Sequence, residues 1–560
     1  MTDSVFDRWL HRPAVWWTSA LALAASVTFL SLAGNGGAVV VVAAAAAIVL
    51  ALASTEDRHG WQTIVALALV GAAIRAVAHA GLVAWTSSAG GPFLGPDSST
   101  YFFRSVILAE DGFRITDSPA LHFGTYDAAH YYLFAAIVAV VGPDLVALQA
   151  ANWSMTILAG PLAWSIARRV APAHATAVGL LVTVYPSLVA VSVNDLLKDP
   201  SVITLSLVGA WVLVRLVTAH DGWLARLALV VIGGGALAYV HMSRFYVAAF
   251  LLLAAVTALA VTWLRTRRDP ARRPAAAAVL SMVLVFGIGE AVPRAMGWPY
   301  SPLMLADQFA HVMNSPGMRL YAPGLLARLS SDGGGSPAAS LGDGASTSLP
   351  ATGPALLDRG DSMSHSAREI LAKTRDRGTK PRSTDSPHVA PGTPRPPKPA
   401  AGAPPADAAP PAEGPRLVRW GTNGIRKLFG PFPWVPPPDF SPQTITLGDY
   451  LLFPGMLVWY AVLPIALAAM FVAAGDMLRG RAGGLSLGIA LFSAALFVLY
   501  LGLNLSWRQR EFMFPFLVLL AFWAIDRVRA QRWARYAYAA YWCGIVLLAV
   551  THTVVRAMVG

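Results

Sequence analysis

Apolar stretches about twenty residues long, separated by short polar connections, recur along this chain. A helix of that length rises about 30 Å, the thickness of a bilayer's hydrocarbon core. The runs fall at 15–33, 36–54, 61–85, 144–167, 175–193, 201–218, 223–240, 247–264, 275–293, 451–475, 483–504, 512–526 and 536–556. No run shows the strict alternation of a half-buried strand, so the pattern predicts an all-α polytopic membrane protein with about 13 transmembrane helices. The first run lacks a cleavage-site pattern and reads as a retained anchor. A further run, Asp127 to Gly142, is about two-thirds of a crossing and is expected to lie along the outer membrane surface.

The basic residues assign sides. With the N-terminus placed in the cytoplasm, the inner connections hold Arg8, Arg12, Arg58, Arg168, Arg169, Arg215, Arg226, Arg265, Arg267, Arg268, Arg272, Arg273, Arg479, Arg481, Arg527, Arg529, Arg532 and Arg535. The short outer connections hold Arg104, Arg114, Lys198, Arg244, Arg508 and Arg510. The inner excess follows the positive-inside rule. It also singles out the outer cations, because they oppose the trend.

Four regions follow: a transmembrane hairpin at 1–60, a core at 61–295 with a first outer loop at 86–143, a large outer loop at 296–448, and C-terminal spans at 449–560. Residues 331–415 are rich in Gly, Ser, Ala and Pro and are expected to be disordered. Aromatic content returns at 416–448, as in an element re-approaching the membrane.

Composition agrees with a lipid setting. The chain is 56% hydrophobic and 13% charged, with mean hydropathy +0.55; soluble domains carry about 25% charged residues. A net charge of +12 is read as orientation and attraction to anionic lipid, with no nucleic-acid partner. One cysteine, Cys543, excludes an intramolecular disulfide and argues against a cysteine-based metal site. Walker A, dinucleotide-binding and H-E-x-x-H patterns are absent from the sequence.

The candidate chemistry sits in the outer connections. Gly95-Pro96-Asp97-Ser98-Ser99-Thr100-Tyr101 places a carboxylate at a turn, where Asp97 could act chemically, cap a helix, or do both. Glu110 and Asp111 follow. Asn194-Asp195-Leu196-Leu197-Lys198-Asp199-Pro200 ends the fifth span, and Lys198 could snorkel to headgroups or bind a phosphate. Arg244 lies in an almost loop-free reversal after His241. Arg508 and Arg510 precede Glu511 and Pro515. Arginine at such depth needs a partner or a polar cavity. These cations could share one anion, or pair separately with Glu511, Asp195 or Asp199. Arg75 and His79, one turn apart inside the third span, read as a satisfied structural contact. Glu290 could partner an outer arginine.

In order, these features resemble the GT-C superfamily of membrane glycosyltransferases, particularly bacterial members similar to protein O-mannosyltransferases and aminoarabinose transferases. The likeness rests on Pro96-Asp97-Ser98-Ser99-Thr100-Tyr101, on Tyr131-Tyr132 through Gly142, on Arg168-Arg169, on Tyr185-Pro186 with Leu197-Lys198-Asp199-Pro200, and on Arg508-Gln509-Arg510 through Pro515. It covers 61–265 well and 450–530 less fully. The hairpin at 15–54 and the composition of the large loop depart from the family pattern.

The resemblance implies a hexosyl- or pentosyltransferase taking sugar from a polyprenyl-phosphate donor to a lipid, glycan or protein acceptor on the extracytoplasmic face, with inversion. Asp97 would be the general base. Lys198, Arg244, Arg508 and Arg510 would hold the donor phosphate. Glu110, Asp111 and Tyr101 are candidates for acceptor binding or for holding a divalent cation, and no other cofactor is implied. Two further readings stand beside it. A transporter or lipid flippase would favour ionisable groups at the midplane and broken helices. An oligosaccharide polymerase or ligase would rely on arginine and histidine in later loops.

Overall fold

The computed structural model describes residues 5–88, 96–110, 112–113, 128–194, 196–218, 222–266, 279–283, 287, 447–481, 483–502 and 507–559. Among these the regular structure is helical, with no strand. The helices are α1 (Val5–Leu10), α2 (Pro13–Ala33), α3 (Gly37–Ala53), α4 (Arg58–Ser88), α5 (Pro96–Glu110), α6 (Ala128–Val141), α7 (Leu145–Thr156) and α8 (Ala159–Val170). After a short turn come α9 (Ala175–Val184), α10 (Pro186–Asn194), α11 (Asp199–Thr218), α12 (Trp223–Thr266), α13 (Leu447–Leu478), α14 (Gly484–Gly502), α15 (Trp507–Ala530) and α16 (Arg532–Val559).

Among the described residues seven helical stretches are long and apolar enough to cross a membrane, or eight when the bent pair α9–α10 is counted as one crossing. The runs expected at 36–54, 247–264 and 483–504 fall on the shorter apolar stretches Gly37–Ala53, Tyr246–Val261 and Gly484–Leu499. The run at 512–526 falls within α15, whose first turns carry charge. Most of the run at 275–293, the loop at 331–415, the stretch at 416–448 and Glu290 lie outside the described residues.

Local chemistry explains the breaks. Pro186 has no amide hydrogen, and the chain leaves the helical region at Tyr185, so α9 and α10 bend by 40°. That bend frees carbonyls at the end of α9. The Thr183 carbonyl is taken up by Arg75 Nη1 at 3.0 Å, while Arg75 Nε donates to Thr156 Oγ1 at 2.7 Å. His79 has its own partners: Trp153 Nε1 donates to Nδ1 at 3.0 Å, and Gln149 Oε1 lies 3.1 Å from Nε2. Because indole only donates, His79 is the Nε2-protonated neutral tautomer. Arg75 and His79 therefore knit α4 to α7 and α9 through separate bonds.

The N-terminal hairpin is fastened at its turn. Asp144 caps α7 by accepting from Val146 N and Ala147 N, and its other oxygen accepts from Asn35 N at 2.8 Å. Gly37 sits so close to α7 that a Cβ there would lie 2.8 Å from that of Ala147. The outer faces of α2, α12 and α16 display exposed Leu21, Leu32, Val231, Leu547 and Val550, as lipid contact requires.

Candidate functional site

Helices α4 and α11 run between two ends of the bundle, which differ in chemistry. One end carries Glu56, where Arg215 from the close of α11 reaches Thr55 O at 2.9 Å. The other carries Asp199, the first residue of α11.

At the Asp199 end, the connection from α10 to α11 is held by side chains from three other helices. Ser98 Oγ accepts from Leu196 N at 3.1 Å, joining the start of α5 to this connection. His130 Nε2, on α6, lies 3.0 Å from Leu196 O, and its Nδ1 lies 3.2 Å from Tyr239 OH. Tyr239 OH donates to Ser201 Oγ at 2.8 Å, and Ser201 Oγ donates to Lys198 O at 2.7 Å. Neutral imidazole, phenol and hydroxyl supply three protons for these four contacts, and both terminal partners are carbonyls that only accept. The network is complete only with His130 charged. Burial opposes that and pushes its pKa down to about 4, although the Leu196 carbonyl and Asp199 favour the cation.

The cations arrive from later helices. The chain leaves helical geometry at Arg244, with φ −152° and ψ 77°, which splits α12. There Arg244 Nη2 donates to Asp199 Oδ1 at 2.7 Å and Nη1 to Tyr246 OH at 3.0 Å, with the guanidinium 5.0 Å from the Phe512 ring centre. Arg510 is 2% exposed; its Nη1 meets Met456 Sδ at 2.8 Å, and Trp459 lies 5.8 Å away in cation–π contact. Glu511, also 2% exposed, accepts from Ser187 and feels both Arg510 and Asp199. Tyr185 stacks on Phe514 at 3.5 Å. A Cβ on Gly455 would lie 2.9 Å from Ser187 N, so only glycine lets α13 approach α10 here.

The expected site residues are distributed as follows. Asp97 is the second residue of α5; its side chain lies outside the described residues, as do Asp111 and the side chain of Arg508. Tyr101 is buried, edge-on to His130 at 4.8 Å and beside Tyr131 at 5.3 Å, in packing contact. Glu110 is exposed at the far end of α5, thirteen residues from Asp97; that is about 20 Å of helical rise, so the two do not share a site. Lys198 is partly buried, Arg244 is joined to Asp199, and Arg510 neighbours Glu511. For Arg244, separate pairing with Asp199 is what the geometry gives. The sequence pattern singles out Tyr185 but not His130, Tyr239, Met456 or Trp459. Tyr185 was visible before Pro186, but the others are joined only by tertiary packing.

The Glu56 end is a closed ion-pair network. Glu56, with 5% of its side chain exposed, lies 3.1 Å from both Arg168 and Arg169 and 3.7 Å from Arg215. Ser165 Oγ donates to it at 2.7 Å and accepts from Trp211 Nε1 at 3.0 Å. Asp57 pairs with Arg168 and caps α4 through Gly60 N at 2.7 Å. The Arg168 hydrogen bond holds the Asp57 carboxyl below its usual range, with the cap adding to it. Beside this network Asp7, His11 and His59 come together, their potential ligand atoms within 4.8 Å of one another.

Comparison with protein-family models, curated proteins and solved structures gives no match. Chemistry at this chain's own residues is therefore what supports a function.

Proposed function

We propose that this chain is a multi-pass membrane glycosyltransferase of the GT-C type, with about thirteen crossings, a cytoplasmic N-terminus and its site on the extracytoplasmic face. A sugar moves from a polyprenyl-phosphate donor to a lipid, glycan or protein acceptor, with inversion at the anomeric carbon. The supporting observation is convergence. The start of α5, which carries Asp97, is hydrogen-bonded through Ser98 to Leu196, two residues before Lys198. Arg244 grips Asp199, the next residue after Lys198, and Arg510 follows through Glu511.

Each group has a role. Asp97 accepts the acceptor's hydroxyl proton as that oxygen attacks the anomeric carbon; such help is worth roughly 10²–10⁴ in rate. The bond to the donor phosphate breaks, and Lys198, Arg244, Arg508 and Arg510 stabilise the charge that grows on the leaving oxygen. Arg244 is positioned at this end by its bonds to Asp199 and Tyr246, and its planar guanidinium suits a phosphate. The arginine excess at the Glu56 end agrees with that end facing the cytoplasm.

The test is lipid identification. Chain purified in mild detergent is extracted, and the co-bound lipid is analysed by mass spectrometry. A polyprenyl phosphate or its sugar ester supports the reading; phospholipid alone overturns it. One alternative has its own support, since the bend at Tyr185-Pro186 and the break at Arg244 are features of transporters. A transporter would move the lipid between leaflets and leave the sugar bond intact.

A further inference from the structure

The Asp7, His11 and His59 cluster lies at the Glu56 end, away from the proposed transfer site. It joins the short first helix to the start of α4, and no step of the proposed reaction uses it. We propose that these three residues form a site for a divalent transition-metal ion of the zinc class, which clamps α1 onto α4. This inference does not depend on the glycosyltransferase reading.

Three observations carry it. First, the donor set suits the metal: two imidazoles and one carboxylate are ligands for zinc, with a fourth position left to water. Second, the backbone places them. His11 N bonds to Asp7 O at 3.1 Å, so α1 continues one turn and sets Asp7 and His11 at i and i+4 on one face. His59 projects from the first turn of α4, its ring centre 5.3 Å from that of His11. The ligand atoms within 4.8 Å of one another need close by only about an ångström to reach zinc bonds of about 2.0–2.2 Å.

Third, the outer contacts orient the ligands as in metal sites. Thr63 Oγ1 donates its proton to His59 O at 3.0 Å, so toward His11 Nε2, 3.3 Å away, it can only accept. His11 is therefore protonated on Nε2, and in its neutral form it carries the lone pair on Nδ1, the atom that would bind metal. The Thr176 hydroxyl donates to Asp7 Oδ1, which orients the carboxylate. Hydrogen bonds of this kind to the far side of ligating groups hold them in position and tune their basicity. Two of the three ligands are partly buried while His59 is exposed, so the ion would enter from solvent.

The site would act on the fold. Helix α1 has six residues and packs lightly on α4 and α9. An isolated helix that short is unstable in water, so one metal bridging it to α4 would hold it down.

Untagged full-length protein, stripped with chelator and dialysed, is titrated with Zn2+ against a chromophoric zinc indicator. One tight zinc per chain is expected in the wild type. His59→Gln and Asp7→Asn should each weaken binding at least tenfold. Zinc should raise the unfolding temperature and slow protease cleavage before Pro13 in the wild type but not in His59→Gln. Because His59 is exposed, the metal-free variant should melt with the metal-free wild type, so lost binding is not lost fold. Absence of stoichiometric zinc in the wild type, or equal affinity in His59→Gln, overturns the proposal.

Discussion

The two ends of the helix bundle hold their arginines in different ways. At the Glu56 end, Arg168, Arg169 and Arg215 converge on one buried carboxylate, and Asp57 completes the set. At the Asp199 end, Arg244 meets a carboxylate and an aromatic face, and Arg510 lies among a thioether, an indole and Glu511. A carboxylate that gathers three guanidiniums is an internal staple. The cations at the Asp199 end each meet an aromatic ring as well as a neighbouring carboxylate, so no single acid gathers them. Charge count alone therefore does not describe how an end is held; partner type does.

The largest effect that could break this comparison is at Asp97. Asp97→Asn should express and melt like the wild type, because asparagine keeps the size and hydrogen-bonding capacity of the side chain in the first turn of α5. Sugar transfer should fall at least a hundredfold, at the lower end of what a general base provides. Transfer near the wild-type rate would reduce Asp97 to a first-turn helix residue and remove the chemical asymmetry between the ends.

Acid should next weaken the Asp199 end alone. The His130 imidazole is pushed down to about 4 by burial, against an ordinary value of 6.5. The unfolded chain then binds the extra proton first, so stability is full above about pH 6.5 and is lost as pH falls toward 4. The span of about 2.5 units corresponds to about 3 kcal/mol. Thermal unfolding followed from pH 7 to pH 4 should show that slope, and His130→Gln should flatten it. Hydrogen exchange should rise at 196–202 before it rises around Glu56. An equal rise at both ends would show that His130 does not govern the connection.

Much of this framework was legible in sequence because it is local. Pro186 and Pro200 announce helix starts, and α6 follows the apolar stretch ending at Gly142. Asp199, one of the partners the sequence offers Arg244, is the one it meets. What was hidden is non-local. Nothing in the spacing of His130, Tyr239 and Ser201 says that they meet, because their contacts bridge separations of 109 and 38 residues. Glu56 is hidden in sequence for the same reason: it sits in a short polar connection, and its partners lie more than a hundred residues away. The run at 144–167 falls within one candidate crossing, Leu145–Val170, and the junction of α7 and α8 inside it carries no proline to mark it in sequence.

Glu56→Gln tests the staple directly. It keeps size and hydrogen bonding but removes the charge shared by three arginines. Breaking a buried pair costs about 3–5 kcal/mol. Arg168 and Arg169 are 26% and 18% exposed, so water compensates part of that, and a loss of about 2 kcal/mol is expected. It should appear in denaturation, while transfer per folded molecule stays unchanged. A change in the Michaelis constant for the lipid donor would mean that the two ends communicate.

Asp57→Asn should have the smallest effect, and its contrast with Glu56 is the sharpest. The two carboxylates are adjacent in sequence and share Arg168, yet Asp57 has 57% of its side chain exposed against 5% for Glu56. Asparagine preserves the cap on Gly60 and deletes only a solvent-screened ion pair. Such pairs are worth about 0.2–1 kcal/mol, less as salt rises. Denaturation in low and high salt should therefore show a small loss for Asp57→Asn that disappears with salt, while the Glu56→Gln loss persists. If both losses faded together, Glu56 would be as well solvated as its neighbour, and burial would not be what makes this end a staple.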